Sequence, residues 1–254
     1  MVKKSSYILW LSRFSVVVYF LFSPVFAQMN ARSIGGLEEI SQNALSDQSF
    51  VMMAQMALKV RPQDWKHAET DNFIYHYFNS SIATPVAVEA EFYYRVISKD
   101  LQRDNSAWQR KAHIFIFDTP ADWKQFQSGA RLDPWTGGIH IPGNLFILRD
   151  KRYRYKGNLL GHEIAHLVID RFFGSNVPLW LNEGYAEYIA SIAYASFVRA
   201  RGYTNKPTSA PIDPKYYIPL SQLLSLASYP ETPEQIATFY DQSHKLVRFL
   251  ISKN

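Results

Sequence analysis

Two histidines and a glutamate near the middle of the chain have the types and spacing of a metal site. His162, Glu163 and His166 form the pattern His-Glu-x-x-His. Positions four apart in an α-helix differ by about 40° around its axis, so both imidazoles would project from one face. Imidazole nitrogens are good Zn²⁺ ligands. Glu163 would lie beside the metal, where a carboxylate can take a proton from water that the metal acidifies.

The alternative is that this short pattern arose by chance. A five-residue pattern with three fixed positions occurs at random in about one protein in a hundred of this length. The flanking residues Ile164, Ala165, Leu167 and Val168 are apolar, which indicates a buried helix. Burying two histidines and a glutamate without partners is costly, and a metal ion is the simplest partner. The flanks therefore favour the metal site.

A catalytic zinc usually has three protein ligands, and the next predicted helix offers a third. Glu183 follows His166 by 17 residues, after a segment whose Gly174 and Pro178 can turn the chain back. Glu187 is one helical turn further on. One glutamate can therefore bind the metal while the other hydrogen-bonds a ligand histidine. The alternative, an exposed acidic face, is disfavoured because this helix is largely apolar.

The combined pattern resembles a known family. His162-Glu-x-x-His166 followed by Trp180-Leu-Asn-Glu183-Gly-Tyr-Ala-Glu187 is similar to the gluzincin metallopeptidases, in particular the peptidase MA-like group related to the M1 aminopeptidases. The resemblance implies a zincin-like fold with one Zn²⁺ per chain. It implies His162, His166 and Glu183 as the zinc ligands, and it places Glu187 at the acidic position that supports a ligand.

The same resemblance implies a hydrolase of peptide bonds in which Glu163 is the general base; it covers roughly residues 110–250. One departure concerns the glycine-rich motif whose glutamate anchors the substrate amine in the aminopeptidases. Gly137-Gly138-Ile139-His140 occupies that region without a carboxylate. We therefore expect an endopeptidase acting on peptides or proteins. The alternative is a non-catalytic peptide-binding or protein-binding module that keeps a zinc-stabilised fold.

Such a site also needs a donor that stabilises the oxyanion of the tetrahedral intermediate. Tyr240 and His244, one turn apart on the last predicted helix, are candidates, and His140 is a third. Tyr240 is preferred because the stretch Tyr240-Asp-Gln-Ser243 resembles what the family carries there; the alternative is that these are ordinary helix residues. The remaining histidines in strand-like or loop context are interpreted as structural: His67, His76 and His113.

The first 27 residues have the layout of a signal peptide. Three basic residues precede the apolar run Phe14–Phe22, and Val25-Phe26-Ala27 offers the small residues that signal peptidase requires. The run is short for a membrane span, which needs about 20 apolar residues. We therefore expect cleavage and export to the periplasm or the exterior. The alternative is an uncleaved N-terminal membrane anchor.

The composition limits which metal ligands and which partners can be expected. The chain has no cysteine, so histidines and carboxylates must hold any metal. Its formal net charge of +5 comes partly from the basic leader, and we expect no nucleic-acid partner. The basic and aromatic run Arg149–Lys156 is interpreted as a solvated loop. It could instead help to hold an acidic substrate, because it leads into the helix of His162.

The order of the predicted elements indicates an α+β fold. We expect a helical N-terminal segment over residues 28–62, based on apolar spacing from Leu37 to Val60, and a peptidase domain over residues 63–254. This domain would have a small mixed or antiparallel sheet with an edge strand beside the metal helix, then a mainly helical C-terminal part. Leu145–Leu148 is predicted as that edge strand, able to pair with an extended substrate.

The remaining elements follow from hydrophobic periodicity and turn signals. The predicted strands are Asn72–Phe78, half buried, and His113–Phe117. The short apolar segments Ile139–Ile141 and Leu145–Leu148 are predicted to form either a hairpin or a bent edge strand. The predicted helices are Pro85–Leu101, one that begins near Ala121, Leu159–Phe173, Leu179–Arg201, Leu220–Leu226 and Pro233–Ser252.

Overall fold

The structure, a computed structural model, describes residues 36–103, 110–150, 157–200 and 213–253. In these ranges the strands are β1 Lys66–Glu69, β2 Phe73–Tyr77, β3 Ala112–Phe117, β4 Gly138–Ile141 and β5 Asn144–Leu148. The α-helices are α1 Met52–Leu58, α2 Ser80–Asp100, α3 Pro120–Ala130, α4 Leu159–Phe173, α5 Leu179–Ala200, α6 Leu220–Ser225 and α7 Pro233–Ile251. The predicted α+β class is confirmed, and the predicted bounds of α4 are those of the structure.

The five strands form one mixed sheet in the order β1-β2-β3-β5-β4. The three inner strands are parallel, while β1 and β4 run antiparallel to their neighbours. A tight turn joins β4 to β5, and Gly143 in it has a φ of +73°, in the left-handed region that glycine adopts without strain. The hairpin predicted for this part of the chain is confirmed.

The prediction of Leu145–Leu148 as the edge strand is wrong. Within the described residues the edge strand is β4, and β5 lies between β3 and β4. The reason is visible in β5 itself, where Leu145 and Ile147 pack on one face of the sheet and Phe146 on the other. A strand that is apolar on both faces is typical of the interior of a sheet. β4 contacts α4, so an edge strand does lie beside the helix of the two histidines.

Each face of the sheet has its own core, because side chains alternate along a strand. On one face, residues such as Tyr75 and Ile114 pack against α2, α4, α5 and α7. On the other, Phe115, Phe117 and Phe146 pack against α1 and α3. The rings of Phe115 and Phe146 stack with their centroids 4.9 Å apart. β2 is buried on both faces, so the prediction of a half-buried strand there is wrong.

The helix predicted over Leu37–Val60 is too long. The segment forms a single 3-10 turn at Gln42–Ala44 and the short α1, and Ile40 donates a backbone hydrogen bond to His67 of β1. Asp47 interrupts the helical pattern, because its carboxylate accepts hydrogen bonds from both the backbone N–H and the hydroxyl of Ser49. Such local bonds compete with helix formation. Outside these two elements, the described part of the segment consists of turns and irregular structure, with one isolated bridge from Ile40 to His67.

Two further observations bear on the predicted elements. α2 begins at Ser80 rather than at Pro85, because the Asn79 side chain caps it by accepting a hydrogen bond from the Ser81 N–H. In the described ranges, none of the helices has the length and apolar character that crossing a membrane requires. Residues 1–27 and most of Arg149–Lys156 lie outside the described residues, so the signal peptide and the solvated loop stay predictions.

Three histidines lie side by side under the N-terminal segment. His67 Nδ1 is 2.8 Å from His76 Nδ1, and His76 Nε2 is 2.9 Å from His113 Nδ1. Phe50 covers them, with its ring centroid 5.6 Å from that of His76 and 5.4 Å from that of His113. All three are buried, and burial lowers the pKa of each imidazole. We call them the histidine row.

We predict that the protein loses stability as the pH falls below about 6.5, the pKa of histidine in an unfolded chain. Burial lowers the pKa of the histidine row in the folded protein, so the unfolded chain takes up protons more readily on the same side chains. Each histidine then lowers the free energy of unfolding by up to about 1.4 kcal/mol per pH unit. Urea unfolding of metal-free protein at about pH 7.5 and about pH 5.5 measures this loss.

The matched variant for this prediction is His76→Phe. Its ring can keep the stacking that His76 makes with Phe115, at a centroid distance of 4.2 Å, but cannot take up a proton. Asp47 and Glu69 have lowered pKa values, so they lose their contribution only at more acidic pH. The variant should therefore lose less stability over this interval. An equal loss in both proteins would contradict the prediction.

Candidate metal centre

The candidate site is built by two helices that fold back on each other. α4 is buried along most of its length and carries His162 and His166 one turn apart. It ends at Gly174, whose φ of +67° is left-handed, and a single turn leads to α5. α5 packs against α4 and brings Glu183 to the two histidines. The structure thus brings together all three residues that the sequence predicts as ligands.

The three side chains present one donor atom each to a common point. His162 Nε2 and His166 Nε2 are 2.9 Å apart, and Glu183 Oε2 lies 3.3 Å from the first and 3.2 Å from the second. A cation at about 2.0–2.2 Å from each donor can contact all three at once. His162, His166 and Glu183 therefore form a group that could hold a metal ion.

Two further side chains orient the imidazoles. His166 Nδ1 is 3.0 Å from Asn182 Oδ1, and His162 Nδ1 is 3.2 Å from Glu187 Oε1. With the proton on each Nδ1, next to these oxygens, both Nε2 atoms keep a lone pair for a metal. Glu187 thus lies where the sequence analysis expects it, next to a ligand histidine.

The electrostatics of the group also suit a cation. Burial disfavours a charged carboxylate, yet His166 and His162 hold the pKa of Glu183 well below its ordinary value. Burial likewise works against a charged imidazole, but Glu183 and Glu187 raise the pKa of His162 to about 10. An ionised carboxylate thus lies between the two imidazoles and stabilises positive charge there, and a metal ion would take the place of the proton that His162 otherwise holds.

Glu163 lies on the same helix but points to the edge of the sheet. Its carboxylate accepts a hydrogen bond from the backbone N–H of His140 in β4, and burial raises its pKa. Gly138 lies so close that a Cβ atom there would be 3.2 Å from Glu163 Oε1. Gly138 thus allows the strand to approach the glutamate, a role that differs from anchoring a substrate amine.

The hydrogen-bonding pattern of β4 shows which backbone groups face outward. The Leu148 N–H donates to the Gly137 carbonyl at 3.1 Å, so Gly137 faces β5. Because antiparallel strands alternate between paired and outward residues, the N–H and C=O groups of Gly138 and His140 point away from β5. The bond from His140 to Glu163 agrees with this direction. The general-base candidate therefore lies at the outward edge of the sheet.

Of the three oxyanion candidates, Tyr240 lies at the site. Its ring centroid is 6.1 Å from that of His162, and burial and the charge of Glu183 raise its pKa, so the phenol stays protonated. His244 lies further along α7, against Tyr188 at 6.4 Å. The remaining candidate, His140, packs over α4 at 6.5 Å from the ring of His166.

Tyr240 depends on a close approach between α5 and α7. A Cβ atom on Gly184 would meet the backbone oxygen of Ser243 at 2.4 Å, so only glycine fits there without displacement. Gly184 follows the ligand Glu183, and Ser243 is three residues after Tyr240. The glycine therefore lets the helix of Tyr240 pack beside the helix that supplies the third ligand.

The sequence analysis missed two polar side chains of this site. Asn182 directly precedes Glu183, so its position in the motif was a usable signal, because a residue next to a ligand on a helix can face an adjacent ligand. Tyr229 donates a hydrogen bond from its hydroxyl to Glu183 Oε1. It comes from the loop between α6 and α7, and nothing in its local sequence indicates the contact.

Comparison of the chain with protein-family models gave no match, and comparison with curated proteins also gave none. The interpretation of the site therefore depends on the residues and the geometry described above.

We predict that Asn182→Ala weakens metal binding about 10-fold to 100-fold, the usual effect of removing a group that orients a ligand histidine. Without the amide oxygen, the His166 ring is free to rotate and to carry its proton on Nε2. Competition with a chromogenic chelator, with Zn²⁺ as the probe ion, measures the dissociation constant. Asn43→Ala, at an exposed position, is the matched control. Equal affinities in the two variants would rule out this role.

Proposed function

We propose that this protein is an exported zinc metallopeptidase of the gluzincin type that cleaves internal peptide bonds. The observation that carries the proposal is the convergence of His162, His166 and Glu183, with Glu163 alongside. This is the ligand set and the base that the resemblance to the peptidase MA-like group implies. The predicted signal peptide supports export.

The donor atoms support zinc as the metal. Two imidazole nitrogens and one carboxylate oxygen are typical of catalytic zinc, whereas Mg²⁺ and Ca²⁺ prefer oxygen ligands alone. Three protein ligands leave a coordination position for water or substrate. When bound, zinc supplies Lewis acidity, which polarises a carbonyl group and lowers the pKa of water.

The protein's own side chains would carry out the remaining steps of the reaction. Glu163 is placed to accept a proton from the attacking water and to deliver it to the leaving amine. Tyr240 is a protonated donor on the neighbouring helix, facing His162, and would stabilise the negative charge that develops on the carbonyl oxygen. Asn182 and Glu187 keep the ligand imidazoles in the required orientation.

The outward edge of β4 supports a peptide as the substrate. An extended chain can add to an exposed sheet edge through main-chain hydrogen bonds. The outward groups of Gly138 and the outward carbonyl of His140 lie beside Glu163, whose carboxylate already accepts from the His140 N–H, so a peptide paired there would pass the metal site. Residues Gly137 to His140 carry no carboxylate to bind a free amine, which favours endopeptidase over aminopeptidase action.

A second candidate function is a peptide-binding module without catalysis, which the same sheet edge would serve. An open coordination position on the metal distinguishes the two functions, because a peptide-binding module does not need water to reach the metal. Metal content together with peptide cleavage separates them. A protein that holds zinc and binds peptides but cleaves none would support the binding module.

We predict that Glu163→Gln keeps about one zinc per chain but lowers the rate of peptide hydrolysis by about 10²-fold to 10⁴-fold, the usual contribution of a general base. Mass spectrometry of products from a mixed peptide library, with and without chelator, measures cleavage. Glu234→Gln, at an exposed position on α7, is the matched control and should cleave normally. Hydrolysis by Glu163→Gln at the wild-type rate would contradict the proposed mechanism.

We also predict that Tyr240→Phe lowers kcat by about 10²-fold to 10³-fold, as expected on loss of one oxyanion donor. Zinc content should not change, since the phenol is not a ligand. Steady-state kinetics on a peptide found in the library measure kcat and KM separately. Tyr217→Phe is the control, because that side chain is 61 % exposed. An unchanged kcat in Tyr240→Phe would assign the oxyanion to another group.

A further inference from the structure

The two oxygens of the Glu183 carboxylate have different partners. Oε2 faces the Nε2 atoms of His162 and His166. Oε1 accepts a hydrogen bond from the hydroxyl of Tyr229. Glu183 itself is only 2 % exposed, so water cannot readily replace the phenol as a donor. A buried carboxylate oxygen without a partner would be unfavourable.

The Tyr229 side chain is held by α7 rather than by its own loop. Its ring lies against Tyr240, with centroids 6.1 Å apart and an interplanar angle of 27°. Its edge-to-face contact with Phe239, with ring centroids 5.9 Å apart and an interplanar angle of 89°, restricts the ring in a second direction. Phe239 is completely buried, so this contact is anchored in the core. The residue as a whole is 47 % exposed, yet its hydroxyl is directed inward at Glu183.

We infer that Tyr229 is a positioning residue that holds Glu183 to single-oxygen binding of the metal. A carboxylate can bind a cation through one oxygen or through both. A donor on Oε1 favours binding through Oε2 alone and fixes the rotation of the carboxylate. One coordination position of the metal then stays open for water or substrate. The inference rests on the proposed function only in taking Glu183 as a metal ligand.

This role differs from that of Tyr240, although the two rings are in contact. Tyr240 faces His162 and would act on the substrate, so its loss should change kcat. Tyr229 acts on a ligand, so its loss should change metal affinity and coordination before any substrate is present.

The test is Tyr229→Phe, with zinc affinity and the Co²⁺ absorption spectrum as readouts. We expect the zinc dissociation constant to rise about 10-fold to 100-fold. In the Co²⁺-loaded protein, we expect a change in the visible absorption bands, because their intensity reports the number of ligands. Tyr217→Phe, at an exposed tyrosine outside the site, should match the wild type in both measurements. Wild-type affinity and spectrum in Tyr229→Phe would overturn the inference.

A double-mutant cycle with Glu183→Gln excludes a merely structural effect. If Tyr229 acts through Glu183, its substitution should change zinc affinity much less in the Glu183→Gln background. Equal effects in both backgrounds would overturn the inference, as would a fall in kcat at saturating zinc with unchanged affinity. The zinc affinity and the Co²⁺ spectrum need no substrate. A wild-type protein that binds zinc but cleaves no peptide would therefore contradict the proposed function and leave this inference standing.

Discussion

Four ionisable side chains, three of them buried and His166 partly buried, lie together between two helices and the edge of a sheet. Removing such groups from water costs several kcal/mol each unless partners compensate. His162, His166 and Glu183 compensate one another, and the backbone N–H of His140 compensates Glu163. The surrounding elements are arranged so that these groups can meet their partners. The turn at Gly174 returns the chain, and the helices pack closely enough that the charges meet.

The parts of this site that were predictable from sequence are those set by local spacing. The four-residue interval between His162 and His166 puts both on one helix face wherever that helix lies. The bounds of α4 followed from its apolar run and from Gly174, both of which are local signals. Asn182 is an intermediate case, because its place beside Glu183 is local but its contact with His166 depends on how two helices pack.

The parts that were not predictable depend on contacts between distant segments. Tyr229 meets Glu183 only because a loop 46 residues away docks on α7. The histidine row assembles only through strand pairing, since residues at 67 and 113 have no periodic relation in the chain. The edge strand was misassigned for a similar reason. Both strands of the hairpin are apolar, and their order in the sheet is decided by which one finds a parallel neighbour in β3.

The position of β4 has a consequence for how the protein tolerates substitutions. Gly138 and His140 face α4, while Ile139 and Ile141 pack on the opposite face, against the aromatic cluster that contains Phe146. The strand β4, which contacts Glu163, thus packs on residues that do not contact the ligands. A displacement of about 1 Å in an active site can slow a reaction about 100-fold. Substitutions on the face of the sheet opposite the metal site could therefore produce a protein that folds and binds metal but reacts slowly, because β4 is displaced.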